Sequence, residues 1–319
     1  MTEHTLRRTE RFCDNYSQMR RRFRWEYHLL HALVAYCAAE RERDLDFDAL
    51  DDALALIRRS TGPFSSFRSA VRLIYAGALS FEADPASAFD KVEEAYAALK
   101  KAFSPSGYLP LAAFAMERES HEAGFESVAR LSREVLDAMK KDHPFLTGPE
   151  DIPFAVLAAC RGRSASVFSA GVESAWTVLS PALGRSNAVQ TVCHCLALAG
   201  DPVEGAETLL RLWRDLKAKK HPFGRDVELI GLAALALTDG PDADPVIEID
   251  EWLRRRPGFG NWTLGARVRR MYAALLAALP APSEREGEHA FTVTLTLAAA
   301  TVFMITRQQA AAAAVAAST

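Results

Sequence analysis

Residues 201–216 read Asp-Pro-Val-Glu-Gly-Ala-Glu-Thr-Leu-Leu-Arg-Leu-Trp-Arg-Asp-Leu, and this stretch decides the fold class. Asp201 suits an N-cap, Pro202 sits where a helix needs no N–H, and Glu204 completes a variant capping box. The same Asp-Pro start recurs at 84–85 and 244–245, each time after a segment rich in alanine and leucine. Aligned on these starts, Tyr96, Leu136, Trp176, Trp213 and Trp252 follow one another at spacings of 40, 40, 37 and 39. Leu99, Met139, Leu179 and Leu216 lie three residues beyond the first four, so the same helix face is filled each time.

The segments between these helices also match one another. Residues 109–112 (Leu-Pro-Leu-Ala) resemble 152–155 (Ile-Pro-Phe-Ala), and 151–159 resemble 226–234. Pro and Gly break the chain at 104–107, 143–145 and 221–224. The pattern predicts antiparallel helix pairs of about 40 residues. One such pair cannot bury its apolar face alone, so neighbours must stack. The predicted fold class is all-α: a right-handed array of five to six helix pairs fronted by two N-terminal helices. Local repeats are the same in an open α-solenoid and a closed α/α toroid, so both stay open. The expected organisation is an N-terminal helical segment (1–62), a helical-repeat domain (63–280), and a linker with an apolar, alanine-rich tail (281–319).

Upstream of the repeats, Phe12, Tyr16, Met19, Phe23, Tyr27, Leu30, Val34 and Cys37 recur at helical steps and predict one long amphipathic helix. Arg20, Arg21, Arg22 and Arg24 lie mostly off that stripe. A second helix is expected from about Asp48, with Asp51 and Asp52 in its first turn. Arg58 and Arg59 near its end suit the dipole, and Thr61-Gly62-Pro63 stops it. Near the C-terminus, 262–279 reads as a helix and 280–288 as a polar linker. From 291 to 297 apolar residues alternate as in a strand, whereas 310–317 favours helix. The tail is therefore expected to be separate, either helical or poorly ordered.

Composition excludes whole classes of protein. With 319 residues, 49% hydrophobic and 25% charged, the chain is neither disordered nor collagen-like. A net charge of −3 gives no global electrostatic footprint for nucleic acid. Five cysteines make no disulfide framework and fit a reducing compartment. The N-terminus lacks the apolar run of a secretory signal, and the apolar stretch 291–305 is shorter than the roughly 20 residues a bilayer requires. A cytoplasmic location is expected.

Several pieces taken together resemble a known family. They are Phe23-Arg24-Trp25-Glu26, Thr61-Gly62-Pro63-Phe64-Ser65-Ser66-Phe67-Arg68, Ala78-Leu79-Ser80 before Asp84-Pro85, and Gly107-Tyr108-Leu109-Pro110-Leu111-Ala112-Ala113. With the alanine-rich end, they are similar to a bacterial domain-of-unknown-function family, number four thousand and three, over nearly the whole chain. The resemblance implies a bacterial, cytoplasmic protein and supplies no catalytic residues.

The search for chemistry returns core residues more often than sites. His28 and His31 share a helix face but lack a third ligand at helical spacing, so no metal is expected. Cys193, His194 and Cys195 diverge around a helix and cannot chelate together. The acidic run 44–52 has Ala49 and Ala55 where a calcium loop needs Gly and Glu. His121-Glu122 has Phe125 in place of the second histidine of a zinc-protease helix. No nucleophile elbow or phosphate loop is present. Arg254–Arg256, Arg267, Arg269 and Arg270 near Trp252 and Trp262 read as a solvated helix edge rather than a nucleic-acid surface.

The candidate ligand-binding residues are Arg68 and Tyr108. An Arg fork at residue 68 could hold a carboxylate or phosphate, or bridge to Glu82 or Asp84. No catalytic residue and no cofactor is assigned. The leading expectation is a non-catalytic binding or scaffold protein with a protein or peptide partner. The alternatives are an α/α-toroid enzyme with an acidic or Arg-lined cavity, and a peripheral membrane protein anchored, or self-associating, through residues 290–319.

Overall fold

The computed structural model describes residues 1–120, 124–261, 263–279 and 287–318. His121 and Glu122, Trp262, and the linker at 280–286 lie outside the described residues. The described chain is all-helical. Its fifteen α-helices are α1 (Glu3–Arg22), α2 (His28–Glu40), α3 (Phe47–Ser60), α4 (Arg72–Leu79), α5 (Pro85–Ala102), α6 (Leu109–Glu119), α7 (Phe125–Asp142), α8 (Ile152–Cys160), α9 (Ala165–Leu183), α10 (Asn187–Ala199), α11 (Pro202–Ala218), α12 (Leu229–Ala236), α13 (Asp244–Arg254), α14 (Ala266–Ala277) and α15 (Gly287–Ser318). Two short 3-10 turns, Ser66–Arg68 and Pro149–Asp151, complete the set, and the described residues contain no strand.

Helix ends follow local chemistry. The Asp46 side chain accepts from the N–H groups of Asp48 and Ala49, Asp84 from Ser87, and Asp201 from Val203 and Glu204. At the third Asp-Pro the helix begins one residue earlier than the motif implies: Asp244 is its first residue, and Asp242 accepts the Asp244 N–H. Basic pairs close α3, α5 and α7 at Arg58-Arg59, Lys100-Lys101 and Lys140-Lys141.

The predicted first helix is two helices. Phe23 ends α1 by donating its N–H to Met19, and the chain turns before α2, which packs back along α1. The freed Phe23 carbonyl accepts from His31 Nε2 at 3.0 Å. The apolar period continues across the turn because both helices face the same core, so periodicity alone conceals the break.

Successive helices pair, α5 with α6, α7 with α8, α9 with α10, α11 with α12, and α13 with α14. Pairs also touch their neighbours: α5, α7, α9 and α11 pack in series on one layer, and α6, α8, α10, α12 and α14 on the other. Tyr96, Leu136, Trp213 and Trp252 are half-buried and Trp176 is buried, while Leu99, Met139, Leu179 and Leu216 are all buried. The second layer permits very close approach. A Cβ on Gly231 of α12 would lie 2.5 Å from the Met271 carbonyl oxygen of α14, so only glycine fits there. Cations late in one first-layer helix pair with acids early in the next, as Arg22–Asp51, Lys101–Glu126 and Lys219–Asp244. Each such exposed pair contributes little to stability, because water and salt screen it.

The two ends of the chain of pairs meet. Phe12 of α1 stacks on Tyr272 of α14 with ring centroids 5.1 Å apart, Tyr16 donates to the Gly258 carbonyl at 3.2 Å, and Arg8 donates to the Leu279 carbonyl at 2.9 Å. Tyr36 of α2 meets Tyr272 at 6.0 Å. Beside this seam lies a buried ionic network. Arg269 binds Asp250 through two hydrogen bonds of 2.7 and 3.3 Å and donates to the Phe259 carbonyl, and His221 holds Asp250 at 2.8 Å.

The C-terminal segment is one helix, α15, packed against α2, α6, α8, α10 and α12. Val293, Leu295, Leu297, Val302 and Ile305 are buried, as are Thr292, Thr296 and Thr301. The hydroxyls of Thr296 and Thr301 bond carbonyls one turn back, which satisfies them in an apolar setting. The strand-like alternation is thus a helix buried on several sides, which erases the helical period. The stretch Ala290–Ala313 spans 24 residues and is long and apolar enough to cross a membrane, because a lone Arg307 does not end it. In this fold 61% of its most apolar window is buried against protein.

Candidate functional site

Two clefts flank α15, one near each end of its buried part. The larger, about 550 Å³, opens where α8, α10, α12 and α14 begin. Four arginines line it: Arg185 in the turn before α10, Arg225 in the turn before α12, Arg267 in the first turn of α14, and Arg307 on α15. Phe154, Ile230 and Phe303 supply an apolar wall. Two carboxylates also line the cleft, and both are engaged. Asp226 bonds Arg267 at 3.2 Å, and Glu150 accepts from the Asn187 side chain at 3.0 Å. The Arg225 guanidinium lies over the Trp213 ring at 5.8 Å and Arg307 over Phe303 at 5.6 Å. Neither these two nor Arg185 has a carboxylate partner among the described residues. Four cations against two anions leave the cleft positive, and the N-terminal ends of α10 and α14 add to that potential.

The second cleft, about 290 Å³, lies between α2, α4, α6 and α15. Val34, Ile74, Phe114 and Leu295 make its walls. Glu40, Arg41, Glu82, Glu117 and Arg118 stand at its polar side, where α2, α4 and α6 end. Arg41 covers the Phe81 ring at 4.7 Å, and Arg118 covers Phe291 at 4.9 Å. Burial and, next, the charge of Glu82 push the Glu117 carboxyl upward from its ordinary range.

Neither residue singled out from the sequence lines these clefts. Arg68 donates Nε to Thr61 Oγ1 at 3.1 Å and its terminal nitrogen to the carbonyls of Arg58 and Thr61. It therefore clamps the C-terminal end of α3 rather than bridging to Glu82 or Asp84. Tyr108 is buried ahead of α6, and its hydroxyl meets Thr306, next to Arg307. It borders the arginine cleft, and burial followed by the charge of Glu150 pushes its phenol up. The arginines at 185, 225 and 307 escape a motif search because no short spacing joins them. A readable signal was nonetheless present: Arg185 and Arg267 stand at helix starts, where acidic side chains are favoured.

The histidine and cysteine candidates are buried or half-buried. His28 and His31 face one another at 5.7 Å, and burial lowers both. Cys193, His194 and Cys195 are all buried. The basic run near Trp252 is divided, with Arg269 buried on Asp250, Arg270 donating to the Pro222 carbonyl, and Arg256 stacked on Trp252 at 4.0 Å.

The chain matches the family described as "Protein of unknown function (DUF4003)" over residues 15–310. It belongs to that family. This DUF4003 chain is also similar to the "Uncharacterized protein YeaA" of Bacillus subtilis (strain 168), at 22% identity over 81% of each chain. No solved structure matches it.

Behind the arginine cleft, His194 of α10 in the DUF4003 chain has neither ring nitrogen in a hydrogen bond, and its Nδ1 lies 3.4 Å from Asp151 Oδ1. Burial, with His143 adding to it, lowers His194 to about 3, and burial lowers His31 to about 4. Burial raises Asp151, which the Gly148 N–H opposes. The unfolded chain protonates these histidines below its ordinary value of about 6.5, and the folded chain does so only near 3–4. Their contribution to stability is therefore complete above about pH 6.5. It is lost as the pH falls toward 4, at about 1.4 kcal/mol per pH unit for each proton. Asp151 acts in the opposite sense, costing stability as the pH rises above its unfolded value. His194→Gln is expected to flatten the fall in melting temperature between pH 6 and pH 4. Melts at stepped pH check this, and an unchanged slope would show that His194 does not carry it.

Proposed function

We propose that α1–α14 form a closed α/α ring of seven helix pairs around α15, and that this ring is a non-catalytic binding protein for a small anion with an apolar body. The meeting of α1 with α14 supports closure. The observation that carries the binding reading is the arginine cleft, in which Arg185, Arg225 and Arg307 have no carboxylate partner among the described residues while Phe154, Ile230 and Phe303 stand beside them. Guanidinium forks recognise phosphate and carboxylate in bidentate fashion, and an apolar wall beside them selects the rest of the ligand. Glu150 and Asp226 are each held by a donor of the cleft itself, which leaves the excess positive charge of the arginines to face a ligand.

Calorimetric titration with phenyl phosphate and with inorganic phosphate tests this reading. Phenyl phosphate is expected to bind more tightly, and its affinity should fall as salt rises. Arg225→Ala and Arg307→Ala, at exposed positions, should each weaken it about tenfold or more without lowering the melting temperature. Equal affinity in wild type and both variants would overturn the assignment.

A further inference from the structure

The turns inside the seven helix pairs gather on one face of the molecule, and contacts link them in series. Glu26, between α1 and α2, pairs with Arg72 at the start of α4. Ser66, between α3 and α4, meets the Tyr96 hydroxyl of α5 at 3.4 Å, and the Gly107 carbonyl, between α5 and α6, accepts from Tyr75 of α4 at 3.4 Å. Glu150, between α7 and α8, accepts from Asn187 at the start of α10, and Asp226, between α11 and α12, accepts from Arg267 at the start of α14. The Pro222 carbonyl accepts from Arg270 of α14, and the Gly258 carbonyl, between α13 and α14, from Tyr16 of α1. α15 comes out at the same face, where Thr306 meets Tyr108.

This face is strongly cationic. The seven turns with their flanking helix ends (20–28, 58–72, 100–108, 140–152, 184–187, 217–229 and 254–267) hold 21 Lys and Arg against six Asp and Glu, in a chain whose net charge is −3. Eighteen of those cations are exposed, but Asp142 is the one exposed acid among the six. Four of the eighteen reach an acid, as Arg22–Asp51, Lys101–Glu126, Lys219–Asp244 and Arg267–Asp226. The balancing charge lies elsewhere, for example in the caps Asp46, Asp84 and Asp201 at the opposite ends of α3, α5 and α11. The helix dipole accounts for cations in a last turn, but Arg24, Lys220, Arg255 and Arg256 lie beyond their helices.

The same turns carry a second feature that the dipole does not explain. Phe64 and Phe145 stand wholly in water and Trp25 is 87% exposed. Among the described residues no other aromatic side chain is exposed, and these three occupy the α3–α4, α7–α8 and α1–α2 turns. Exposing them costs free energy that a partner recovers by covering them. Cations with protruding aromatics complement the interface of an anionic bilayer, where lipid phosphates draw Lys and Arg and the headgroup region accepts aromatic rings. Two observations favour a bilayer over nucleic acid. The cations are spread over all seven turns rather than along a groove that could track a strand. The end of α15 that emerges among them is apolar, with exposed alanines at 310–313.

We propose that the face formed by the seven turns docks on the surface of an anionic membrane. Its Lys and Arg side chains lie against lipid phosphates, and Trp25, Phe64 and Phe145 enter the headgroup region.

Flotation of the full chain with vesicles of phosphatidylcholine, alone and with about one third phosphatidylglycerol, tests the proposal. The chain is expected to float with the anionic vesicles and not with the neutral ones, and to be released progressively as salt rises. Phe64→Ser/Phe145→Ser and Lys140→Gln/Lys141→Gln should each weaken vesicle binding about tenfold or more. All four side chains are exposed, so both variants should keep a cooperative melt. None of the four lines the arginine cleft, so phenyl phosphate affinity should match wild type in both, and this proposal fails separately from the anion reading. Single-stranded DNA added at equal phosphate concentration should not displace the chain from the vesicles. Equal flotation with neutral and anionic vesicles, no flotation with either, binding unchanged in either double variant, or displacement by the DNA would each overturn the proposal. Loss of flotation on deleting 308–319 with no effect of the double variants would assign membrane binding to the tail and overturn it too.

Discussion

Deleting residues 290–319 is expected to abolish cooperative folding. Those residues are the greater part of α15, and they pack Val293, Leu295, Leu297, Val302 and Ile305 into the interior, where α15 contacts α2, α6, α8, α10 and α12. Full burial of each such side chain is worth roughly 1.5–3 kcal/mol. Five of them approach the whole stability of an ordinary domain, about 5–15 kcal/mol. Their removal also strips the apolar faces of five other helices of their cover. Arg161 loses the Thr292 hydroxyl at 2.8 Å, and Glu40 loses that of Thr294. Urea titration followed by circular dichroism should show a shallow, non-cooperative loss of helix, with binding of an apolar dye before denaturant is added. Deleting only 308–319 should leave the midpoint unchanged, since residues 308–313 are exposed. A cooperative transition at the wild-type midpoint in the longer deletion would make α15 an appendage rather than a core element.

Asp250→Ala is expected to lower stability by about 3–5 kcal/mol. The variant leaves the Arg269 guanidinium buried with the Phe259 carbonyl as its remaining acceptor among the described residues in place of a bidentate carboxylate, and it frees His221. The desolvation of an unpaired charge dominates this cost, not the Coulomb energy of the lost pair. The double variant Asp250→Leu/Arg269→Met should therefore recover much of the loss, because it removes both charges together. Urea midpoints at equal slope measure both. If the double variant is no more stable than Asp250→Ala, packing around α13 and α14 rather than the buried charge sets the cost.

The match between sequence and structure is closest where the signal is local. Asp46, Asp84 and Asp201 cap the helices their neighbours predict, and the basic pairs at 58–59, 100–101 and 140–141 close theirs. A cap is a bond between residues two or three apart, so the sequence contains both partners. Legibility falls where partners are distant. Arg68 offers one fork to several acceptors within reach, and only packing selects the end of α3 over Glu82 or Asp84. The arginine cleft draws on four turns and helices, and each contributes one unremarkable residue.

Composition and spacing by themselves determined that this chain is helical, where several of its helices begin, and that their apolar faces require neighbours. Tertiary structure alone decided that α1 meets α14, that an apolar C-terminal segment packs against five other helices, and that four arginines gather near one end of its buried part. The physical reason is range. Capping, dipole complementarity and periodicity act within a turn or two of helix, whereas burial and charge convergence depend on which helices the folded chain brings together.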